Sequence, residues 1–103
     1  MKADLLKIIK HYGINHQQKK LEEEVFELQE AITTHELKES VEYDIPLTEI
    51  VGNKEHIAEE LADVMVILEQ IKLYYEISSE EITKIFWSKV ERQLGRISKW
   101  RIQ

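Results

Sequence analysis

Apolar side chains recur at helical spacing in four stretches of the chain. Leu5, Leu6, Ile8 and Ile9 crowd a short segment that ends at Gly13, where a left-handed glycine closes a helix without a steric cost. From about Asn15 to Thr34, Leu21, Val25, Leu28 and Ile32 follow spacings of 4, 3 and 4, which predicts one apolar face of an amphipathic helix. Ile57, Leu61, Val64, Leu68, Ile71 and Tyr75 form the stripe of a third helix, with Asn53 as its expected N-cap and its end near Glu76. Ser78 and Glu81 offer a capping box for a fourth helix that runs to about Trp100, with Phe86, Val90, Leu94 and Ile97 on its apolar face and Trp87 at the edge. Between Thr34 and Asn53 the periodicity lapses, and Pro46 and the Gly52-Asn53 pair mark a connection that is long for a bundle. A surface crossover and a functional loop, with a helical turn after Pro46, both fit that length. The pattern predicts an all-α helical bundle of three long helices plus a short N-terminal one.

Composition narrows this further. At 103 residues the chain is expected to be one domain over residues 1–103 with one core. Three Gly, one Pro and no Cys disfavour an all-β or disulfide-stapled fold, and the lack of Cys also removes thiolate metal sites and a thiol nucleophile. The longest uncharged apolar run, Val64 to Leu68, is far short of the roughly 20 residues that span a bilayer, so no membrane partner is expected. With no signal-like apolar centre in the first ten residues, the expectation is a cytoplasmic protein. Charge is uneven: residues 1–81 hold 8 basic and 19 acidic side chains, whereas residues 82–103 hold 6 basic and 1 acidic. An acidic body with a basic last helix argues against a nucleic-acid polymer as partner and suits a smaller anion.

The acidic residues fall into a pattern. At about 100° per residue with Leu21 at zero, Glu24 falls near −60° and Glu27 near −120°, with Gln17 and Lys20 in the same sector. With Ile57 at zero on the third helix, Glu60 again falls near −60°, Asp63 near −120° and His56 near −100°. If the two helices run antiparallel with facing stripes, a local two-fold axis carries both pairs to one side and the four carboxylates converge. Clustered carboxylates repel, and a divalent cation resolves the conflict. Oxygen-only donors favour Mg²⁺, with Mn²⁺ or Ca²⁺ as alternatives, and no Glu-x-x-His pair of the di-iron kind is present. Magnesium held by a few carboxylates recruits substrate phosphates, which makes a polyphosphate the expected substrate. Against this stands the ordinary reading, in which these are four of 20 acidic side chains on solvated helix faces.

Lys89, Arg92, Gln93 and Arg96 share one face of the last helix, where Lys89 and Arg96 are candidates to bind phosphate. Lys99 and Arg101 lie where the helix dipole alone favours basic residues. Lys20 can pair with Glu24 across one turn, and Trp87, Trp100, Phe86 and Tyr75 suit a core or a subunit interface better than a base-stacking shelf. Tyr74 lies on the flank of Asp63 but far along the helix, within reach of a base only from a neighbouring subunit or across a fold. His56, one turn before Glu60, is placed as a solvated residue or a phosphate contact.

Glu23-Glu24-Val25-Phe26-Glu27 reads as EExxE and Glu60-Leu61-Ala62-Asp63 as ExxD, separated by 32 residues. With the upstream Gln17 and Lys20, these motifs resemble the MazG-type nucleotide pyrophosphohydrolases of the all-α NTP pyrophosphatase superfamily, over about residues 15–99. The resemblance implies Mg²⁺-dependent cleavage of nucleoside triphosphates, ribo or deoxy, between the α and β phosphates. Glu24, Glu27, Glu60 and Asp63 would be its metal ligands and catalytic carboxylates, and Gln17, Lys20, Lys89 and Arg96 its substrate-binding residues. Glu23 belongs to the motif but projects away from the cluster. Lys89-x-x-x-Gln93-x-x-Arg96 is similar to a K-x-x-x-N-x-x-R element of related enzymes, with Gln in place of Asn.

Two other functions are open at this stage. Phosphoribosyl-ATP pyrophosphohydrolases use similar acidic motifs, although Val64-Met65 follows Asp63 where an aromatic-His pair would be sought. A non-catalytic helical interaction module, docking through its charged faces, is the alternative from another class. Apolar residues off the core stripes, Phe26, Ile67 and Trp87, and the largely apolar first helix predict an oligomer. A homodimer or homotetramer is also what the resemblance implies.

Overall fold

The computed structural model describes residues 1–40 and 54–102. Those residues form four α-helices: α1 (Lys2–Tyr12), α2 (Ile14–Ser40), α3 (Lys54–Tyr74) and α4 (Ser79–Ile102). Asn53, Pro46 and the helical turn expected after it lie outside the described residues. No described helix is long and apolar enough to cross a membrane.

Local chemistry explains the boundaries. Gly13 ends α1, donating its N–H to the Ile9 carbonyl at 2.7 Å, and it begins α2, its own carbonyl accepting from the Gln17 N–H at 3.1 Å. At φ 86° and ψ 157° it occupies a backbone region that is essentially reserved for glycine, so one residue turns the chain with no loop at all. The expected stop at Thr34 is corrected: α2 continues for six further residues. Its apolar periodicity lapses there, but Glu36, Leu37, Lys38 and Glu39 are strong helix formers and no Gly or Pro interrupts them. At α4, the Ser78 hydroxyl accepts the Glu81 N–H at 3.1 Å, the N-cap bond that the capping-box pattern predicts.

The turn from α3 to α4 is a Schellman closure, in which the Ile77 N–H reaches the Lys72 carbonyl at 3.0 Å and the Glu76 N–H reaches Leu73 at 3.1 Å. Lys72 Nζ braces it by donating to Ser79 Oγ at 2.8 Å while pairing with Glu69. Glu76 sits at the left-handed position with φ 55°.

Packing departs from the expected bundle. α2 lies against α3, and α1 folds back chiefly onto α3 and to a lesser extent onto α2. Among the described residues, α4 makes no comparable contact with any of the others. Ile82, Ile85, Phe86, Trp87, Leu94 and Ile97 are all exposed on it, and of its side chains up to Lys99 only Val90 is half-buried. The three long helices have 27, 21 and 24 residues, and only the first two of them pack together. The radius of gyration of 18.1 Å exceeds the roughly 13 Å of a compact domain this long. The chain exposes 8986 Å², against about 6,100 Å² for a compact 12.3 kDa monomer.

The α2–α3 seam is also rotated from its predicted face. Gln17, Glu24 and Ala31 are the buried residues of α2, at intervals of seven, and Glu60, Val64, Ile67 and Gln70 are those of α3. On both helices this line lies about 60–70° from the middle of the apolar stripe. Leu21, Leu28, Ile57 and Ile71 of the predicted stripes are half-buried, whereas Val25, Ile32, Leu61, Leu68 and Tyr75 are exposed. Ile67, placed off the core by the sequence, belongs to it. Ile9 brings α1 into the same core at 1% exposure.

A non-glycine residue in the left-handed region costs about 1–2 kcal/mol, which glycine avoids while losing some unfolded-state entropy. Glu76→Gly should therefore stabilise the chain by about 0.5–1 kcal/mol, raising the thermal midpoint followed by circular dichroism by about 2–8 °C. An unchanged or lower midpoint would contradict the role assigned to this turn.

Candidate functional site

Because Gln17, near the start of α2, meets Gln70, near the end of α3, the two helices run antiparallel. The same alignment sets Glu24, seven residues along α2, opposite Asp63, seven residues back along α3. Carboxylate oxygens of Glu24, Glu60 and Asp63 lie within 4.8 Å of one another. Glu24 and Glu60 are buried, at 7% and 9% exposure, while Asp63 opens to solvent. The sequence places four carboxylates together, and the structure brings three. Glu27 is exposed and lies outside the group, because Glu24 itself occupies the seam and Glu27 projects about 60° away from it.

Charge in the cluster is only partly compensated. Lys20 Nζ is 3.2 Å from Glu24 Oε1 and 3.7 Å from Glu23 Oε2. His56 Nε2 lies 3.9 Å from Glu60 Oε1. Glu24 Oε2 and Glu60 Oε2 are buried and have no hydrogen-bond partner among the described residues. A buried carboxylate oxygen without a donor forfeits its hydration with nothing in return, so the arrangement is complementary to a cation. The donors are all hard oxygens, with the composition that suits Mg²⁺ or Mn²⁺.

The Lys20 ammonium is held above the ordinary lysine value of 10.5, first by its hydrogen bond to Glu24 and next by that carboxylate's charge. A group whose folded pKa is raised stabilises the fold below its unfolded value and loses that effect as pH rises through the folded one. The lysine side of this pair therefore stays charged through neutral pH, and its contribution is lost only as pH rises above 10.5.

Beside the cluster, Phe26, Glu27, Gln29, Glu30, Ala31, Thr33, Thr34, His56 and Glu60 line an open cleft of about 750 Å³ between the later half of α2 and the start of α3. It is large enough for a nucleotide-sized ligand. Thr33, Thr34 and Phe26 were not legible as cleft residues, because the sequence gives no register between α2 and the start of α3.

Four residues expected to bind substrate sit differently. Lys20 is at the cluster, as an ion-pair partner of Glu24. Gln17 is buried away from it, about 10 Å along the helix from Glu24, with its amide donating to Gln70 Oε1 at 2.9 Å and its oxygen 2.8 Å from His16 Nδ1. Its side chain is committed to the seam. Lys89 and Arg96 are exposed on α4, which does not pack on α2 or α3, so within one chain they are not brought to the carboxylates.

Glu60→Gln should remove the cation requirement and a buried charge together. Without metal the variant should be about 1 kcal/mol more stable than the parent chain. Mn²⁺ at about 100 times its Kd should stabilise the parent by about 2.7 kcal/mol and leave the variant unmoved. Thermal melts with and without Mn²⁺ check both, and equal Mn²⁺ shifts in the two proteins would exclude Glu60 as a ligand. Compared with protein-family models, with curated proteins and with solved structures, the chain matches none.

Proposed function

We propose that the chain is a Mg²⁺-dependent nucleoside triphosphate pyrophosphohydrolase of the MazG type, with Mn²⁺ as an alternative ion. The observation that carries this reading is the pair of buried, donor-less oxygens, Glu24 Oε2 and Glu60 Oε2, converging with Asp63. Glu24, Glu60 and Asp63 would hold the cation, and Glu27 at the cleft rim would join them when the phosphate chain is bound. A cation there would offset the carboxylate charge and polarise a phosphoryl group. The adjoining cleft supplies room for the nucleoside, and its threonine hydroxyls and His56 supply polar contacts to it. The carboxylate left least encumbered by hydrogen bonds would accept the proton of the attacking water.

The phosphates need positive charge as well as metal, and Lys20 is the basic side chain that the described residues place at the carboxylates. The exposed apolar face and basic residues of α4 favour assembly of two or more copies, in which Lys89 and Arg96 of one copy reach the acidic cleft of another. The excess of about 2,900 Å² over a compact monomer is enough for a stable interface from each subunit.

Asp63→Asn should lower pyrophosphate release from nucleoside triphosphates by about 100-fold or more, since Lewis-acid stabilisation is worth several kcal/mol. Retained activity would defeat the assignment. A panel of ribo- and deoxynucleoside triphosphates with phosphoribosyl-ATP separates the two pyrophosphohydrolase readings. If none is turned over and Mg²⁺ with a non-hydrolysable nucleotide gives no heat of binding, the interaction-module reading holds instead. Light scattering at micromolar concentration should give at least twice 12.3 kDa, and Phe86→Lys should lower that mass. A parent chain that scatters as a monomer would sink the shared cleft.

A further inference from the structure

We infer that Gln17 and Gln70 are positioning residues: their buried amide pair sets the register in which α2 and α3 present Glu24 to Glu60 and Asp63. This rests on the reading of those carboxylates as the metal site. Gln70 is 1% exposed and Gln17 5%, and one amide donates directly to the other at 2.9 Å. The bond lies at one end of the seam and the carboxylates lie seven residues further along each helix, so the two pairings share one alignment.

Apart from Ile9, which α1 brings into the same core, the other buried residues along the seam discriminate one alignment from another less sharply. Its apolar members are Ala31, Val64 and Ile67, two of them branched side chains on the same helix. They would pack about as well after a slip of one helical turn, about 5.4 Å. The carboxylates do not help, because their mutual repulsion favours separation. The amides do discriminate. After a one-turn slip toward the middle of α3, the Gln17 amide would face Ile67, and the two glutamines would lose each other as partners. Polar pairs in otherwise apolar helix seams fix register in this way. His16, stacked on Tyr12 with ring centroids 4.8 Å apart, holds Gln17 from its other side and so fixes which way the amide points.

The test replaces both amides at once, Gln17→Leu with Gln70→Leu, so that neither is left unpaired. The chain has no cysteine, so spin labels at Gln18→Cys on α2 and Ala62→Cys on α3, both exposed, report the register in the full-length protein. Labelled chain is diluted with unlabelled chain so that only distances within one copy are read. The double variant should remain helical and melt at or above the parent's midpoint. Its label distance should broaden or move by about 5 Å, one turn, and its Mn²⁺ affinity should fall at least about 10-fold.

A distance as narrow and as centred as the parent's overturns the proposal, whatever Mn²⁺ does. So does a shifted distance with Mn²⁺ affinity unchanged. If the distance shifts and Mn²⁺ binds neither chain, the register role stands and the carboxylate reading fails. Should the double variant not fold, Gln70→Asn, which is one methylene too short to keep the bond, gives the same reading with little change of volume.

Discussion

The α2–α3 seam is polar where it should be greasy, and the other features of the chain follow from that. Two helices that bury Gln17, Glu24, Glu60 and Gln70 against each other gain little from hydrophobic transfer and must satisfy each polar atom or leave it at a cost. The amides satisfy one another. The carboxylates do not, and they are the groups left with oxygens that have no donor. What stability the unit has comes from a small apolar set, Ile9, Ala31, Val64 and Ile67, clamped by α1 lying across the seam.

Using the seam for polar chemistry leaves much of the apolar stripes uncovered by the described residues. Val25 and Ile32 on α2 and Leu61 and Leu68 on α3 stay exposed, and so does the described α4 face apart from half-buried Val90. The same rotation of about 60–70° that buries the carboxylates turns the stripes outward. Site and surface are thus two sides of one geometric choice, and a change that rolled either helix to bury its stripe would pull the acidic residues apart.

Much of the fold was legible because it is local. Periodicity found four helices, Gly13 and Ser78 marked two of their boundaries by backbone chemistry, and the shared offset of Glu24, Glu60 and Asp63 put those three on one side. What was not legible depends on which face meets which. Apolar stripes taken as the contact place Gln17 at the substrate, Glu27 in the cluster and Ile67 off the core, whereas the buried seam lies on a neighbouring face. Gln70 carries no signal in the sequence, because a glutamine inside a helix is ordinarily solvated and only its partner 53 residues away reveals its role. The run to Ser40 escaped notice for the opposite reason, since charged helix formers carry a helix on after its apolar pattern has ended.

The span of that amide bond also bears on the order of folding. α1, the glycine link and the first turns of α2 involve neighbours in sequence, and helix formation of this kind takes microseconds or less. Joining Gln17 to Gln70 closes 53 residues, and the entropy of that closure is lost before any long-range contact compensates for it. Glu24 and the Glu60–Asp63 pair are therefore far apart in the early chain, and their repulsion is felt only when the seam docks. The electrostatic cost of the site then belongs to the last encounter between preformed helices, and the helices themselves form free of it.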